Sequence, residues 1–129
     1  MISIIDDDRS VREAVESLIR SLGYQALTFT SAEEYLGSDR IDESECVITD
    51  IQMPGMTGLD LQDRLIADGY RRAFIFMSAL AVEDVGANVL RTTRFLKKPC
   101  SCERLIDCLD RALRPASDPQ AILNSIGSA

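Results

Sequence analysis

Hydrophobic residues along the chain follow two spacings, one typical of strands and one typical of helices. Short runs of strand length, most of them rich in apolar and β-branched residues, occur at residues 2–5, 24–28, 46–49, 73–77 and 94–97. Elsewhere apolar residues return every three or four positions, which predicts helices at about 11–22, 31–36, 59–67, 82–90 and 102–113. The alternation predicts an α/β fold, a doubly wound five-stranded parallel sheet with helices on both faces.

Polar residues near the predicted helix ends support some of these boundaries. Ser10 with Glu13, and Ser31 with Glu34, have the spacing of a capping box, in which two side chains satisfy free N–H groups at the start of a helix. Gly23 is placed to end the first helix. In the last helix, the residues predicted to face the core are Leu105, Ile106, Leu109, Ala112 and Leu113.

The apolar runs end in polar side chains that suit a common site. Asp6 and Asp7 follow the first run, Asp50 the third, Ser78 the fourth and Lys98 the fifth. In a doubly wound sheet the carboxyl ends of the strands lie along one edge, and ligands bind there where the strand order reverses. We therefore expect these five side chains to converge.

Clustered carboxylates are typical ligands of Mg²⁺, a hard cation that takes oxygen donors. Lys98 and Ser78 suit the binding of phosphoryl oxygens, and a carboxylate beside the metal can act as a nucleophile toward phosphorus. Asp8, the third consecutive acid, is interpreted as a loop residue or outer-sphere group, not as a direct ligand. Lys97 is interpreted as a solvated neighbour, because adjacent strand residues face opposite ways.

Composition narrows the class of protein. A chain of 129 residues is expected to form one domain with its own core. The net charge of -7 argues against direct nucleic-acid binding by this chain, because such proteins carry basic surfaces. Without a signal peptide or a long apolar segment, we expect no membrane insertion and a cytoplasmic location. The 4 Cys have neither zinc-site spacing nor any His beside them and are interpreted as free thiols.

Four stretches, "IIDDD", "ITDIQMPGMTG", "FIFMSA" and "FLKKP", occur in this order and resemble the signature of response-regulator receiver domains of two-component systems. The resemblance covers about residues 1–114 and implies a flavodoxin-like receiver fold. The stretch "SVREAVESLIRSLGYQALTFTSAEEYL" further resembles the subgroup found ahead of LuxR-type DNA-binding domains.

The resemblance assigns roles to individual positions. It implies that Asp6, Asp7, Asp50 and the backbone carbonyl of Gln52 bind Mg²⁺, and that Asp50 accepts a phosphoryl group from a histidine kinase or a phosphotransfer protein. Lys98 matches the family's invariant lysine. Ser78 matches the switch hydroxyl and Phe95 the aromatic switch position. The implied protein is not an enzyme beyond assisting phosphoryl transfer to its own aspartate, with its own dephosphorylation left open.

Phosphorylation is expected to change the face formed by the predicted 82–90 helix, the fifth strand and the last helix. A partner protein or a second copy of this chain would bind that face. The segment between Ser78 and Lys98 is shorter than is usual in the family, and "RTTRF" replaces a Gly-Ala turn, so the helix predicted there is expected to be short, shifted or loose. Residues 115–129 are expected to be a C-terminal tail or linker stub, with a minimal helix from Asp118 to Gly127.

Two alternatives from other classes stay open. "DDDRS" approaches the nucleophile loop of haloacid-dehalogenase-type phosphatases, which would make Asp6 the nucleophile, although Asp50 then has no role. The chain is alternatively an interaction module that keeps the receiver fold without being phosphorylated. A flavodoxin-like cofactor binder fits less well, because three aspartates stand where a phosphate-binding loop would be.

Overall fold

The computed structural model describes residues 1–70, 72–78, 94–98 and 101–113. Five parallel strands form one sheet in the order β2-β1-β3-β4-β5, which confirms the predicted doubly wound α/β fold. The strands are β1 (Ile2–Ile5), β2 (Ala26–Phe29), β3 (Cys46–Asp50), β4 (Ala73–Ser78) and β5 (Arg94–Lys97). The helices are α1 (Arg9–Ser21), α2 (Ala32–Gly37), α3 (Gly58–Ala67) and α4 (Cys102–Leu113), with a short 3-10 helix at Ile41–Glu43. The helix predicted at 82–90, the tail at 115–129 and Cys100 lie outside the described residues.

Helices cover both faces of the sheet, and each face has its own core. Residues such as Ile4 and Ile48 point toward α1 and α4, whereas Ile5 and Val47 point toward α2 and α3. Because neighbouring strand residues alternate between two buried faces, β1, β3 and β4 are largely apolar runs and not alternating ones. Among the residues that the structure describes, no helix is long and apolar enough to cross a membrane.

The first helix begins at a different cap from the one predicted. Asp8 is the N-cap of α1, and its Oδ1 accepts hydrogen bonds from the N–H groups of Ser10 at 2.8 Å and Val11 at 3.3 Å. Glu13 pairs with Arg9 on the helix surface at 2.9 Å. The Ser10–Glu13 capping box is therefore wrong, because the chain turns into the helix two residues earlier and a carboxylate occupies the cap.

The second predicted capping box is present in part. Ser31 is the N-cap of α2 and accepts a hydrogen bond from the N–H of Glu34 at 3.0 Å. The Glu34 carboxylate, however, accepts from the N–H of Thr30 at 2.8 Å, one residue before the cap. The first bond caps α2, and the second ties the residue that follows β2 to the first turn of α2.

One core prediction for the last helix is wrong. Leu105 and Leu109 are buried in α4, but Ile106 is 37% exposed. Cys108, which was not predicted to do so, packs against the core, and Ala112 and Leu113 pack against it as predicted. Ile106 lies beside these packed residues because it is only one residue, or about 100° of helix, away from Leu105. Cys102 is a free thiol at the start of α4.

Candidate metal and phosphoryl site

The register of the sheet places the predicted site residues along one edge. Ile5 of β1 lies opposite Thr49 of β3, so Asp6 and Asp50 follow at neighbouring strand ends. Ser78 of β4 lies opposite Lys97 of β5, which puts Lys98 just beyond the same edge. The order β2-β1-β3 marks the point where the chain reverses its direction across the sheet, and this is where ligands bind in such folds.

Three carboxylates come together at this edge. Asp6, Asp7 and Asp50 each offer one oxygen, and these oxygens lie within 4.8 Å of one another. Asp6 is fully buried and Asp50 is 6% exposed, whereas Asp7 is exposed to solvent. Three oxygens at this separation have the spacing and the chemistry for a shared divalent cation with oxygen ligands.

Lys98 bridges two of these acids. Its Nζ donates to Oδ2 of Asp6 at 2.7 Å and to Oδ2 of Asp50 at 3.0 Å, and its side chain is only 19% exposed. The backbone N–H of Lys98 donates to the carbonyl of Ser78 at 2.7 Å, which fixes the lysine beside the end of β4. The ammonium therefore compensates part of the negative charge gathered at the strand ends.

Burial and ion pairing shift the pKa values of Asp6 and Lys98 in opposite directions. Desolvation raises the pKa of Asp6 above its usual 3.8, although Lys98 and the N–H of Asp8 lower it in part and the Asp50 carboxylate raises it further. For Lys98, burial lowers the pKa, but hydrogen bonds and charge from Asp6 and Asp50 outweigh burial and leave it above 10.5. At neutral pH the ammonium is thus held in its charged form by the two carboxylates.

The backbone around Asp6 is fixed by two groups. Its Oδ1 accepts from the N–H of Asp8 at 2.9 Å, and its carbonyl accepts from Nη1 of Arg12 at 2.7 Å. Asp8 therefore joins the site to α1 as the helix cap and is not among the three clustered carboxylates. Its interpretation as a group that does not bind the metal directly stays a prediction. Arg12 was missed by sequence reasoning, because a bond from a helix side chain to a carbonyl outside the helix follows no periodic pattern.

The loop after β3 folds back over Asp50. The N–H of Gln52 donates to Oδ1 of Asp50 at 3.1 Å, and the N–H of Gly58 donates to the carbonyl of Ile51 at 3.0 Å. A Cβ on Gly58 would overlap the carbonyl oxygen of Asp50, so only glycine permits this approach at the start of α3. The loop thus keeps the backbone of Gln52 close to the acidic cluster.

The remaining site predictions fall on β4 and β5. Ser78 is fully buried at the carboxyl end of β4. Phe95 lies in β5, in register with Phe76, and its switch role stays a prediction. Lys97 is exposed, as its interpretation as a solvated neighbour requires.

Fold and site together define a class: a flavodoxin-like doubly wound domain with an acidic cluster and a partly buried lysine at the carboxyl edge of its sheet. Residues 2–110 match the family model of the response regulator receiver domain. The chain belongs to this family and is the receiver domain of a two-component response regulator.

Several known proteins are similar over most of the chain. The transcriptional regulatory protein TdiR of Thauera aromatica is 33% identical over 112 residues, covering 85% of this chain and 49% of TdiR. The response regulator protein TodT of Pseudomonas putida is 36% identical over 121 residues, covering 90% of this chain and 52% of TodT. The solved structure of the response regulator StyR has a TM-score of 0.78 at 31% identity, covering 99% of this chain and 69% of that chain. The chain spans about half the length of the curated relatives it matches.

Proposed function

We propose that Asp50 of this receiver domain accepts a phosphoryl group from a phosphohistidine on a partner, with Mg²⁺ bound by Asp6, Asp7, Asp50 and the carbonyl of Gln52. The observation that carries the proposal is the Lys98 ammonium between Oδ2 of Asp6 and Oδ2 of Asp50, beside the third carboxylate. No residue of this chain is His, so the donor imidazole lies outside it, and we propose that a histidine kinase or a phosphotransfer protein supplies it.

The donor atoms fit Mg²⁺. All three side chains are carboxylates, and the exposed Asp7 leaves one side of the cluster open to water, as suits a cation that keeps several water ligands. When bound, the cation would neutralise negative charge on the phosphoryl oxygens. The raised pKa of Asp6 implies competition between protons and metal at a higher pH than for an ordinary aspartate.

The chain's own residues account for the transfer. A carboxylate oxygen of Asp50 attacks phosphorus, a P–O bond forms, and the P–N bond to the donor histidine breaks with its electron pair leaving on nitrogen. The Gln52 N–H holds Oδ1 of Asp50, which orients the carboxylate. Lys98, beside Oδ2, is placed to pair with an oxygen of the incoming phosphoryl group. The chain therefore assists transfer to its own aspartate without acting on a separate substrate.

The output is proposed to pass through Ser78 and Phe95. Phosphorylation of Asp50 adds charge and acceptor oxygens, toward which the Ser78 hydroxyl moves. Phe95 then rotates into the vacated space and alters the face formed by the 82–90 segment, β5 and α4, which a partner or a second copy binds. Because TdiR is named a transcriptional regulatory protein, we further propose that a longer protein containing this domain regulates transcription.

The phosphatase alternative, with Asp6 as nucleophile, has less support. Asp6 is fully buried, with its Oδ1 on the N–H of Asp8 and its Oδ2 on Lys98. Asp50 retains some exposure, and membership of the receiver family favours it as the acceptor.

Intact-mass measurement after incubation with acetyl phosphate and Mg²⁺ tests the proposal. The wild type should gain the mass of one phosphoryl group, and Asp50→Asn should gain none while keeping its fold by circular dichroism. Asp63→Asn, which changes an exposed acid on α3, is the matched control and should be labelled like the wild type. Equal labelling of Asp50→Asn would overturn the assignment, and an unlabelled, folded wild type would favour the silent interaction module.

A further inference from the structure

A glutamate on α2 contacts the loop that follows Asp50. Oε2 of Glu33 accepts a hydrogen bond from the backbone N–H of Met56 at 3.1 Å, across 23 positions of sequence. Gly55, the residue before Met56, has φ +78°, and a Cβ added there would lie 2.5 Å from the same Oε2. The loop is thus free of a side chain at the point where the carboxylate approaches.

The contacted loop carries the backbone of the proposed metal site. Gln52 is tied to Oδ1 of Asp50 at one end of the loop, and Thr57 caps α3 at the other end. Between these ends, Met53 is buried in the same core cluster as Ala32 and Tyr35 of α2. Met53 thus anchors the loop in the core that α2 helps to form, and the Glu33 carboxylate provides a direct polar contact between α2 and the loop further along it.

We propose that Glu33 is a positioning residue for the cation site. Its carboxylate fixes the Pro54–Met56 turn against α2, and the fixed turn holds the Gln52 carbonyl where the cation requires it. This inference rests on the proposed function, because it assumes that the cluster of Asp6, Asp7 and Asp50 binds Mg²⁺. The geometry of the contact itself is independent of that assumption, since it lies in the protein's own backbone.

Three variants separate positioning from charge and from stability. Glu33→Ala removes the acceptor and the charge, whereas Glu33→Gln keeps an acceptor oxygen and removes only the charge. Glu34→Ala is the matched control, because it removes an equal charge and a side-chain to backbone bond from the same helix but contacts Thr30 instead of the loop. Each variant is compared with the wild type by urea unfolding, by amide exchange of Met56 without metal, and by titration with Mg²⁺ alone followed by NMR.

We expect faster exchange of the Met56 amide and on the order of fivefold weaker Mg²⁺ binding in Glu33→Ala, the effect of losing one hydrogen bond of ordinary net strength. Glu33→Gln should restore most of the affinity, and Glu34→Ala should leave Met56 exchange unchanged. The inference is overturned if Glu33→Ala binds Mg²⁺ as tightly as the wild type. It is also overturned if the control Glu34→Ala loses as much Mg²⁺ affinity as Glu33→Ala. A Glu33→Gln variant as weak as Glu33→Ala shows a charge effect and also overturns it. A wild type that binds no Mg²⁺ overturns the proposed metal site first and this inference with it.

Discussion

Replacing Lys98 with methionine removes the ammonium from between two carboxylates and keeps a side chain of similar length. In the wild type Nζ contacts Oδ2 of Asp6 at 2.7 Å and Oδ2 of Asp50 at 3.0 Å. The variant leaves the fully buried Asp6 and the nearly buried Asp50 as neighbouring acids without this compensating charge. We expect the variant to fold with a clearly reduced free energy of unfolding.

The size of the loss follows from the burial of the three groups. Removing one partner of a fully buried ion pair costs about 3–5 kcal/mol. The Lys98 side chain keeps 19% of its exposure, and water screens the pair in part, so we expect a loss of about 2–3 kcal/mol at neutral pH.

The pKa shifts of Lys98 and Asp6 determine how the stability lost in Lys98→Met should change with pH. The raised pKa of Lys98 means that its stabilising contribution is fully present below 10.5 and is lost as the pH rises through the raised value. At the acidic end, Asp6 in the variant lacks the lysine that lowers its pKa, so it takes up a proton at a higher pH than in the wild type. Because the neutral carboxyl needs no counter-charge, the deficit should shrink as the pH falls and should be largest near neutrality.

Urea unfolding followed by circular dichroism, at several pH values between 4 and 11, measures the deficit. Lys97→Met is the matched control, because Lys97 is the exposed residue directly before Lys98, at the end of β5, and its replacement should cost less than about 0.5 kcal/mol. A Lys98→Met deficit no larger than that of the control would refute the reasoning, and so would a deficit that grows as the pH falls.

Four further variants test individual residues at or beside the site. Asp8→Ala should cost about 1 kcal/mol in urea unfolding by removing the cap of α1, and should leave Mg²⁺ affinity near the wild-type value. Asp7→Ala should weaken Mg²⁺ binding without a comparable loss of stability. If Asp8→Ala weakened Mg²⁺ binding and Asp7→Ala instead reduced stability, both assignments would be contradicted. Gly58→Ala should cost about 1–3 kcal/mol in the same unfolding assay, because its Cβ meets the Asp50 carbonyl, and an unchanged midpoint would contradict this overlap. Ser78→Ala should be phosphorylated at Asp50 but lose any phosphorylation-dependent change in size-exclusion elution; a variant that still switches fully would rule out the route through Ser78.

The strand ends were predictable from sequence because sheet geometry constrains them strongly. Parallel strands buried on both faces give continuous apolar runs, and a polar residue that ends such a run lies at the carboxyl edge. Asp6 and Asp50 meet for this reason alone, without any local motif linking them. The contacts of Lys98 follow from the same register.

The start of α1 was not predictable in the same way. Ser10 with Glu13 matches a capping box, but the three preceding aspartates offer other caps, and the outcome depends on how the chain leaves β1. The bond from the Asp8 N–H to Oδ1 of Asp6 turns the backbone there and leaves Asp8 at φ -90° and ψ 115°, ready to cap. A pattern of spacings alone does not contain this turn.

Contacts from side chains to distant backbone groups were also outside the reach of sequence reasoning. Arg12 on the carbonyl of Asp6 and Glu33 on the N–H of Met56 support the site from two different helices. Neither follows a helical or strand period, and either residue alone resembles an ordinary solvated charge. Their backbone partners follow only from the three-dimensional arrangement of the loops and helices.

The most direct test of the account is to map the phosphorylated residue. The wild type is incubated with acetyl phosphate and Mg²⁺, the acyl phosphate is trapped by borohydride reduction, and the modified residue is located by peptide mass spectrometry. The account predicts modification at Asp50. Modification at Asp6 instead would contradict the receiver mechanism and support the phosphatase alternative.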